Sequence, residues 1–294
     1  MSDKQTVLVT GASGYIASWL VRFLLESNQI VHATVRSLSK QDKIKHLLDL
    51  QKKYPGQLHL FEADLLKAGS FKMAMKACTV VMHTASPFKI DVNDAQKELV
   101  QPALEGTRNV LEEISNCPSV TRVVLTSSVA AINGDNYDLK TKAISQLDES
   151  HWNTTSSLKH QPYSYSKTVA EKEAWRLQKE QNRWDLVVIN PSFVMGPSLT
   201  NRVDGQSTQF MLDLLKGKLA IGAPDLHFGY VDVRDVAKAH IQAMLVKEAS
   251  GRHILCQNTY SIVQVAAIIQ QLYPKRFNLP ARQLPKWMLY LVGP

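Results

Sequence analysis

Two side chains four residues apart offer the most specific chemistry in this sequence. Tyr163 and Lys167 share one face if their segment is a helix. A free phenol has a pKa of about 10, and an adjacent ammonium group favours the phenolate. The pair therefore predicts a tyrosine that exchanges a proton at neutral pH. Tyr165 has no such partner, because Val169 stands four residues after it.

A serine is the expected third member of this group. Ser127 ends a β-rich run at 120–127 and Ser128 follows it directly, and Tyr163 comes 35 residues after Ser128. Alone, the Tyr-x-x-x-Lys spacing also occurs on ordinary amphipathic helices, where the lysine stem covers apolar surface. Its place after a strand that ends in serine favours the catalytic interpretation, with Ser128, Tyr163 and Lys167 acting together.

The N-terminal segment is predicted to form a strand, a tight loop and a helix. Residues 6–10 are apolar and β-branched, and apolar residues then recur at helical spacing. Gly11 can adopt a backbone conformation closed to other residues, Gly14 permits close approach of the main chain, and Ala17 lets helix and strand pack tightly. The helix N-terminus adds unpaired N–H groups. The loop therefore predicts a pyrophosphate site formed by Thr10, Gly11, Ser13, Gly14, Tyr15 and Ile16. The alternative is a plain strand-to-helix turn that binds nothing.

Two cations follow the second apolar run, 30–35. Arg36 stands where an NAD-binding unit would carry an acid for the ribose hydroxyl, and an arginine there suits a 2′-phosphate. Lys43 can add a second contact to that phosphate. The pair predicts preference for NADPH as cofactor. The alternative is that both are solvated surface cations in a basic protein.

Strands and helices alternate along most of the chain. Further β-rich runs at 58–63, 79–84, 120–127, 186–190 and 252–256 are separated by helical segments such as 41–50 and 98–116. This pattern predicts an α/β fold with a doubly wound parallel sheet. We expect an NADP-binding core at 1–190, to which 231–256 returns, and a smaller substrate lobe at 191–230 and 257–294. Asp64, after the third strand, either accepts from an adenine amino group or caps the next helix.

Composition excludes several other functions. The 294 residues are 45% hydrophobic and carry a net charge of +8, yet Lys and Arg are scattered and no basic run is interleaved with aromatics. This favours attraction of a polyanionic cofactor over nucleic-acid binding. The nine histidines form no HExxH-like pattern, so no metal is expected.

Localisation is predicted from the cysteines and the apolar segments. Cys78, Cys117 and Cys256 lie far apart and form no CxxC, which fits a reducing cytoplasm, and we expect all three to be buried. No signal-peptide pattern or run of transmembrane length is found. The sequence leaves open whether the protein is a monomer or a homodimer.

These residues predict the reduction of a carbonyl group. Hydride would pass from nicotinamide C4 to a carbonyl carbon while Tyr163 gives its proton to the oxygen and Ser128 holds that oxygen. Lys167 would tune the phenol and bind the nicotinamide ribose. We therefore expect an NADPH-dependent carbonyl reductase acting on a small molecule.

The combined motifs resemble a known superfamily. Thr10-Gly11-x-x-Gly14-x-x-Ala17, Thr126-Ser127-Ser128 and Tyr163-x-x-x-Lys167 are similar to those of the extended short-chain dehydrogenases/reductases. Within these, the sequence resembles the branch of dihydroflavonol 4-reductase and cinnamoyl-CoA reductase, which includes NADPH-dependent aldehyde and ketone reductases. The closer matches are Ala33-Thr34-Val35-Arg36, Asp148-Glu149-Ser150-x-Trp152 and Ser166-Lys167-Thr168-x-Ala170-Glu171.

This resemblance implies a Rossmann fold with a small C-terminal lobe and Ser128, Tyr163 and Lys167 as the catalytic triad. It also implies a substrate contact at Asn133. Where cinnamoyl-CoA reductases carry Asn-Trp-Tyr-Cys-Tyr, this chain has Gln-Pro-Tyr-Ser-Tyr at 161–165. Members usually continue beyond the position of Pro294, so part of the lobe is expected to be missing here. The implied cofactor contacts are Arg36, Lys43, Asp64, Leu65, Thr84, Ala85, Ser86, Tyr163, Lys167, Pro191, Ser192, Phe193 and Val194.

Two other functions stay open. A nucleotide-sugar epimerase or dehydratase would share the loop and the Tyr/Lys pair but would hold NAD. Arg36 argues against it, and Ser128-Val129-Ala130 lacks the acid that such dehydratases carry near the serine. A regulator that binds NADPH without catalysis would need neither Tyr163 nor Lys167.

Overall fold

The structure, a computed structural model, describes residues 4–86, 92–141, 144–200, 205–285 and 287–288 of the 294. The described residues fall into two compact units. The larger lies within 1–191, 197–201 and 233–255, and the smaller within 192–196, 202–232 and 256–294. That the smaller unit binds substrate stays a prediction, and 201–204 and 289–294 are outside the described residues.

The larger unit is built on a seven-stranded sheet with strand order β3-β2-β1-β4-β5-β6-β9. Every neighbouring pair in it is parallel. The order reverses between β1 and β4, and in such sheets ligands bind outside the carboxyl ends of the strands at this reversal. The predicted doubly wound sheet is confirmed. Its strands are β1 Thr6–Thr10, β2 Ile30–Val35, β3 Leu58–Glu62, β4 Val80–His83, β5 Arg122–Thr126, β6 Asp185–Pro191 and β9 Gly251–Leu255.

Amphipathic helices connect these strands. Of the apolar residues predicted at helical spacing in the first of them, Leu20 and Leu24 are buried, whereas Ile16 and Phe23 are only partly buried. The helical segment expected at 98–116 instead begins with a π-helical turn, Gln96–Val100. The helices of this unit are α1 Tyr15–Glu26, α2 Gln41–Lys53, α3 Lys72–Met75, α4 Gln101–Ser115, α5 Asn136–Thr141, α6 Pro162–Lys179 and α8 Val233–Leu245.

One hydrophobic core lies between the sheet and α4. Leu8, Val81 and Val123 from three neighbouring strands form a cluster with Leu111 and Ile114 of the helix, and all five are buried. Each fully buried side chain of this size stabilises the fold by about 1.5–3 kcal/mol. The core therefore holds the strand ends rigidly in register.

The smaller unit has its own sheet and core. Its strands are β7 Phe193–Met195, β8 His227–Asp232 and β10 Asn258–Ser261, in the order β10-β8-β7. Its helices are α7 Gln206–Leu215 and α9 Ile262–Leu272. Ser261 starts α9 with a capping box to Gln264. Leu214, Ala223 and Ile262 form the centre of the core.

The three cysteines differ in exposure. Cys78 is buried, as expected, and burial raises the pKa of its thiol to about 12. The expectation of burial is wrong for Cys256, which is exposed because it follows the last residue of β9, where the chain leaves the sheet. Cys117 is only partly buried, in the turn after α4. No helix in the described part of the chain has the length and apolar character needed to cross a bilayer.

Candidate active site

The glycine loop between β1 and α1 needs glycine at two places for different reasons. Gly11 has φ +64, and a Cβ there would lie 2.9 Å from the Cβ of Ala85. Gly14 has an ordinary φ of −76, but a Cβ there would lie 3.1 Å from the carbonyl oxygen of Gly11. The loop closes through a hydrogen bond from the Gly14 N–H to that oxygen, 2.8 Å long. Side chains at either position would therefore disturb the loop.

The N-terminus of α1 lies directly after this loop. Gly14 is the N-cap and provides no side-chain cap, while Ser13, Tyr15 and Ile16 are partly exposed. The first-turn N–H groups of a helix attract anions. The arrangement is thus suited to a pyrophosphate, as the sequence predicts.

Thr10 joins the ends of β1 and β4. Its hydroxyl oxygen accepts hydrogen bonds from the N–H groups of Thr84, at 3.2 Å, and Ala85, at 3.0 Å, and lies 2.8 Å from His83 Nδ1. Burial and the charge of Lys167 lower the pKa of His83 to about 3, so its ring is neutral. Because Thr10 is fully buried, its side chain positions the turn at 84–86 against the glycine loop.

A pocket of about 400 Å³ lies at the carboxyl ends of β2 and β3. It brings together Arg36 and Asp64, two residues predicted to bind the adenosine end of a cofactor. Lys67 is a second cation in its wall, which the sequence did not single out because it stands in a short turn without a spacing signal. Lys43 is exposed on α2 and is not among the lining residues. The pocket is lined by Arg36, Glu62, Ala63, Asp64, Lys67, Ala68, Gly69 and Ser70.

Asp64 caps a turn in this wall. Its Oδ1 accepts from the Leu66 N–H at 3.0 Å, and its carbonyl oxygen accepts from the Ser70 hydroxyl at 2.7 Å. The alternative that it caps a helix is wrong, because the chain first turns at 64–67 and the next helix begins at Lys72. Leu65 is held from the other side, since Asn109 Nδ2 donates to its carbonyl oxygen at 2.7 Å. The adenine contact stays a prediction.

The structure brings the three predicted catalytic residues together. Ser128 follows β5, and Tyr163 and Lys167 lie in the first two turns of α6. A hydrogen bond joins the side chains of Tyr163 and Ser128. Lys167 Nζ lies 5.9 Å from the centre of the Tyr163 ring and donates to Ser86 Oγ at 3.1 Å. The group therefore meets the turn at 84–86, beside the reversal point of the sheet.

The charges of this group differ from the sequence expectation. Burial raises the pKa of Tyr163 to about 12, against the smaller lowering effect of the Ser128 hydrogen bond. The expected lowering by the neighbouring ammonium is thus not found in the protein alone, where burial of the phenol is the largest effect on its pKa. Burial lowers the pKa of Lys167 to about 8, and the charge of Glu171 opposes this. Tyr163 is therefore neutral and holds its proton.

The loop after Ser128 carries the predicted substrate residue. Ser128 Oγ accepts from the Ala130 N–H at 3.1 Å and so caps the short 3₁₀ turn Val129–Ala131. Asn133 follows, and its Nδ2 donates to Asn136 Oδ1 at 2.8 Å. A substrate contact by Asn133 would therefore compete with, or extend, this hydrogen bond.

Asp135 fixes the beginning of α6, which the sequence did not indicate. Gln161, the N-cap of α6, has the left-handed φ of 53, and its Nε2 donates to Asp135 Oδ1 at 2.8 Å. His160 Nε2 lies 2.8 Å from the other carboxylate oxygen. The two contacts link the segment before Tyr163 to the loop that carries Asn133.

The last predicted cofactor segment, 191–194, spans the boundary of the two units. Pro191 is the final residue of β6 in the larger unit. Ser192, Phe193 and Val194 belong to the smaller unit, where the Phe193 ring contacts the ring of Tyr230, 5.7 Å away. In the described residues, no group of three or more His, Cys, Asp or Glu side chains is arranged to hold a metal ion.

Fold and site together define a dinucleotide-binding protein of the extended short-chain dehydrogenase/reductase type. Residues 7–256 match the family described as the NAD dependent epimerase/dehydratase family, and the chain belongs to it.

The relatives are reductases. The chain is 44% identical to cinnamoyl-CoA reductase CAD2 of Medicago truncatula over 279 residues, which are 94% of this chain and 83% of the relative. It is 34% identical over 292 residues to the bifunctional dihydroflavonol 4-reductase/flavanone 4-reductase of Pyrus communis, covering 96% of this chain and 80% of the relative. The crystal structure of Gre2 from Candida albicans in complex with NADPH superposes with a TM-score of 0.79 at 32% identity, covering 96% of this chain and 87% of that one. These matches confirm the resemblance to the dihydroflavonol and cinnamoyl-CoA reductase branch.

Proposed function

We propose that the protein is an NADPH-dependent reductase of aldehydes or ketones. The observation that carries this proposal is the convergence of Ser128, Tyr163 and Lys167 beside the turn at 84–86. The relatives support it, since reductases named for cinnamoyl-CoA and dihydroflavonol substrates align over more than nine-tenths of the chain.

The residues present fit a bound NADPH. The glycine loop keeps its backbone tight, since a Cβ at Gly11 would meet Ala85 and one at Gly14 would meet the Gly11 carbonyl oxygen. The N-terminus of α1, which attracts anions, follows it directly. At the adenosine end, Arg36 and Lys67 supply two cations to one pocket, as a 2′-phosphate requires. Lys167 would hold the nicotinamide ribose from the other end of the site.

The three catalytic side chains have different roles in this reaction. When bound, NADPH supplies a hydride to the carbonyl carbon. Tyr163 keeps its proton at neutral pH and donates it from the phenol to the carbonyl oxygen. Ser128, hydrogen-bonded to Tyr163, orients that oxygen. The Lys167 ammonium, near the Tyr163 ring, stabilises the phenolate that remains.

The other candidate functions have less support. An epimerase or dehydratase that holds NAD has no use for Arg36 in the wall of the adenosine pocket. A regulator without catalysis has no use for the hydrogen bond between Tyr163 and Ser128. We therefore propose neither.

A panel of aldehydes, diketones and flavonoids, read by NADPH consumption, tests the proposal. We expect turnover of at least one compound, with NADPH much preferred over NADH. Tyr163→Phe should abolish turnover and leave NADPH binding nearly intact, whereas Tyr165→Phe, on the same helix without a lysine partner, should retain activity. Turnover by Tyr163→Phe at the wild-type rate would remove this tyrosine from the mechanism.

A further inference from the structure

A fully buried carboxylate lies one helical turn after Lys167. The side chain of Glu171 is 0% exposed. Its Oε1 accepts from Arg252 Nε at 2.6 Å, and its Oε2 accepts from Ser127 Oγ at 2.5 Å and from Asn190 Nδ2 at 2.8 Å. Burying two charges is expensive, and such a pair is often no more stabilising than apolar side chains of the same size. Stability alone is thus a weak reason for placing this carboxylate here.

The side chain of Arg252, the partner of Glu171, is also held by several contacts. Its Nη1 donates to the carbonyl oxygens of Glu149, at 3.0 Å, and His151. Its guanidinium lies 3.8 Å from the centre of the Trp152 ring. The ion pair therefore has a single arrangement, and it ties α6 to the end strand β9.

Glu171 also reaches the catalytic serine through one intermediate. Asn190 Nδ2, bound to the carboxylate, donates as well to the carbonyl oxygen of Ser128 at 3.1 Å. Ser127, the residue before Ser128, donates directly to the carboxylate. The carboxylate thereby holds the segment that carries Ser128 from two sides.

The charge of Glu171 also acts on Lys167. Among the described residues, the titratable groups shown to interact with Lys167 are Tyr163 and Glu171 on its own helix and His83 at the end of β4. Tyr163 and His83 are neutral at pH 7, since their pKa values are about 12 and about 3. Glu171 is therefore the negative charge that favours the ammonium form against burial.

We propose that Glu171 is a positioning residue of the catalytic group, whose hydrogen bonds hold the Ser128 segment and whose charge supports the Lys167 ammonium. This inference rests on the proposed reductase function. Glu171 acts through Ser127, Asn190 and Lys167, and touches none of the reacting atoms itself.

The test compares Glu171→Gln with Glu173→Gln in the full-length protein. Glu173 is a matched control on the same helix, because it is also largely buried and forms ion pairs, but with Arg108 and Arg176. For Glu171→Gln we expect kcat to fall by about 10- to 100-fold, with KM for the carbonyl compound nearly unchanged. The alkaline limb of the kcat–pH profile should move down by about one pH unit, because residues four apart on a helix have Cβ atoms about 6 Å apart and charges that they carry interact. Glu173→Gln should leave the profile in place.

Two further variants keep the test informative if Glu171→Gln does not fold. Glu171→Gln leaves Arg252 buried without its counter-charge, so Glu171→Gln/Arg252→Gln removes both charges and should fold while keeping the shifted limb. Glu171→Asp keeps the charge and withdraws the carboxylate by one methylene. It should leave the limb in place and lower kcat.

The outcomes separate the two proposals. A wild-type protein that reduces no carbonyl compound would remove the proposed function, and this inference with it. An active wild type whose folded Glu171→Gln or double variant keeps the wild-type pH profile would overturn the role of the charge. A Glu171→Asp variant with wild-type kcat would overturn the positioning role.

Discussion

Replacing Arg36 tests how the protein distinguishes NADPH from NADH. Arg36 is exposed at the end of β2, in the wall of the pocket that also holds Lys67. A hydrogen bond to a charged group contributes about 1.5–3 kcal/mol. Because Arg36 is exposed to solvent, we expect its contribution to NADPH binding to lie at the lower end of this range. A loss of about 1.5 kcal/mol weakens binding about tenfold. We therefore expect Arg36→Ala to raise the Kd for NADPH about tenfold and to leave the Kd for NADH unchanged.

Titrations followed by the fluorescence of the reduced nicotinamide would give both constants. Arg22→Ala is the matched control, since Arg22 is a surface arginine on α1 whose partner is Glu26. Lys67→Ala should give a smaller loss for NADPH alone. Salt screens exposed charges over a Debye length of about 10 Å at 0.1 M. The ratio of the Kd for NADH to the Kd for NADPH should therefore decrease as ionic strength rises.

Two results would refute this reasoning. If Arg36→Ala weakened the binding of NADPH and NADH equally, the side chain would stabilise the pocket without binding the 2′-phosphate. If it weakened neither, Arg36 would be the solvated surface cation that the sequence left as its alternative.

Three other changes have definite expected outcomes. Gly11→Ala should lower the free energy of unfolding, measured by chemical denaturation, by about 1–3 kcal/mol, because the strain of a left-handed backbone adds to a steric clash. Gly56 has φ +74 but open space around it, so Gly56→Ala should lower the free energy of unfolding only by the backbone strain. His240 is buried with a pKa near 4, so the unfolded chain binds its proton below pH 6.5 and the folded protein does not. Stability should fall by about 2 kcal/mol from this group between pH 6.5 and 5, and melting curves of His240→Gln should show a weaker decline. Asp135→Ala frees the strained Gln161 and should lower kcat several-fold; a wild-type kcat would show that the start of α6 needs no such tie.

Buried parallel strands were the easiest elements to predict. The runs at 6–10 and 30–35 coincide with β1 and β2, because strands covered on both faces are continuous apolar segments. β7 and β10 were missed, since three and four residues are too short for periodicity and Asn258-Thr259-Tyr260-Ser261 is largely polar. The π-helical turn before α4 has no pattern of its own in the sequence.

Site residues were predictable where their spacing along the chain indicates that they lie close together. Tyr163 and Lys167 are four apart on one helix, and their meeting with Ser128 follows from the order of strands. Arg252 was missed because its partner Glu171 lies 81 residues away, and no local pattern connects them. Glu171 is the last residue of the motif Ser166-Lys167-Thr168-x-Ala170-Glu171, and its position four residues after Lys167 was the available signal.

The pKa of Tyr163 could not be predicted from the residues near it in the sequence, because its largest cause is burial. The spacing of Tyr163 and Lys167 indicates a nearby ammonium, but it does not indicate the burial of the phenol, which is the largest effect on the pKa of Tyr163. A phenol with a pKa of about 12 is a poor acid by itself, so release of its proton depends on stabilising the phenolate as it forms. Lys167, whose pKa of about 8 is held up by Glu171, can do so only while protonated. In the proposed reaction, the raised pKa of Tyr163 keeps its proton in place until the carbonyl oxygen takes it, and the lowered pKa of Lys167 sets the alkaline limit.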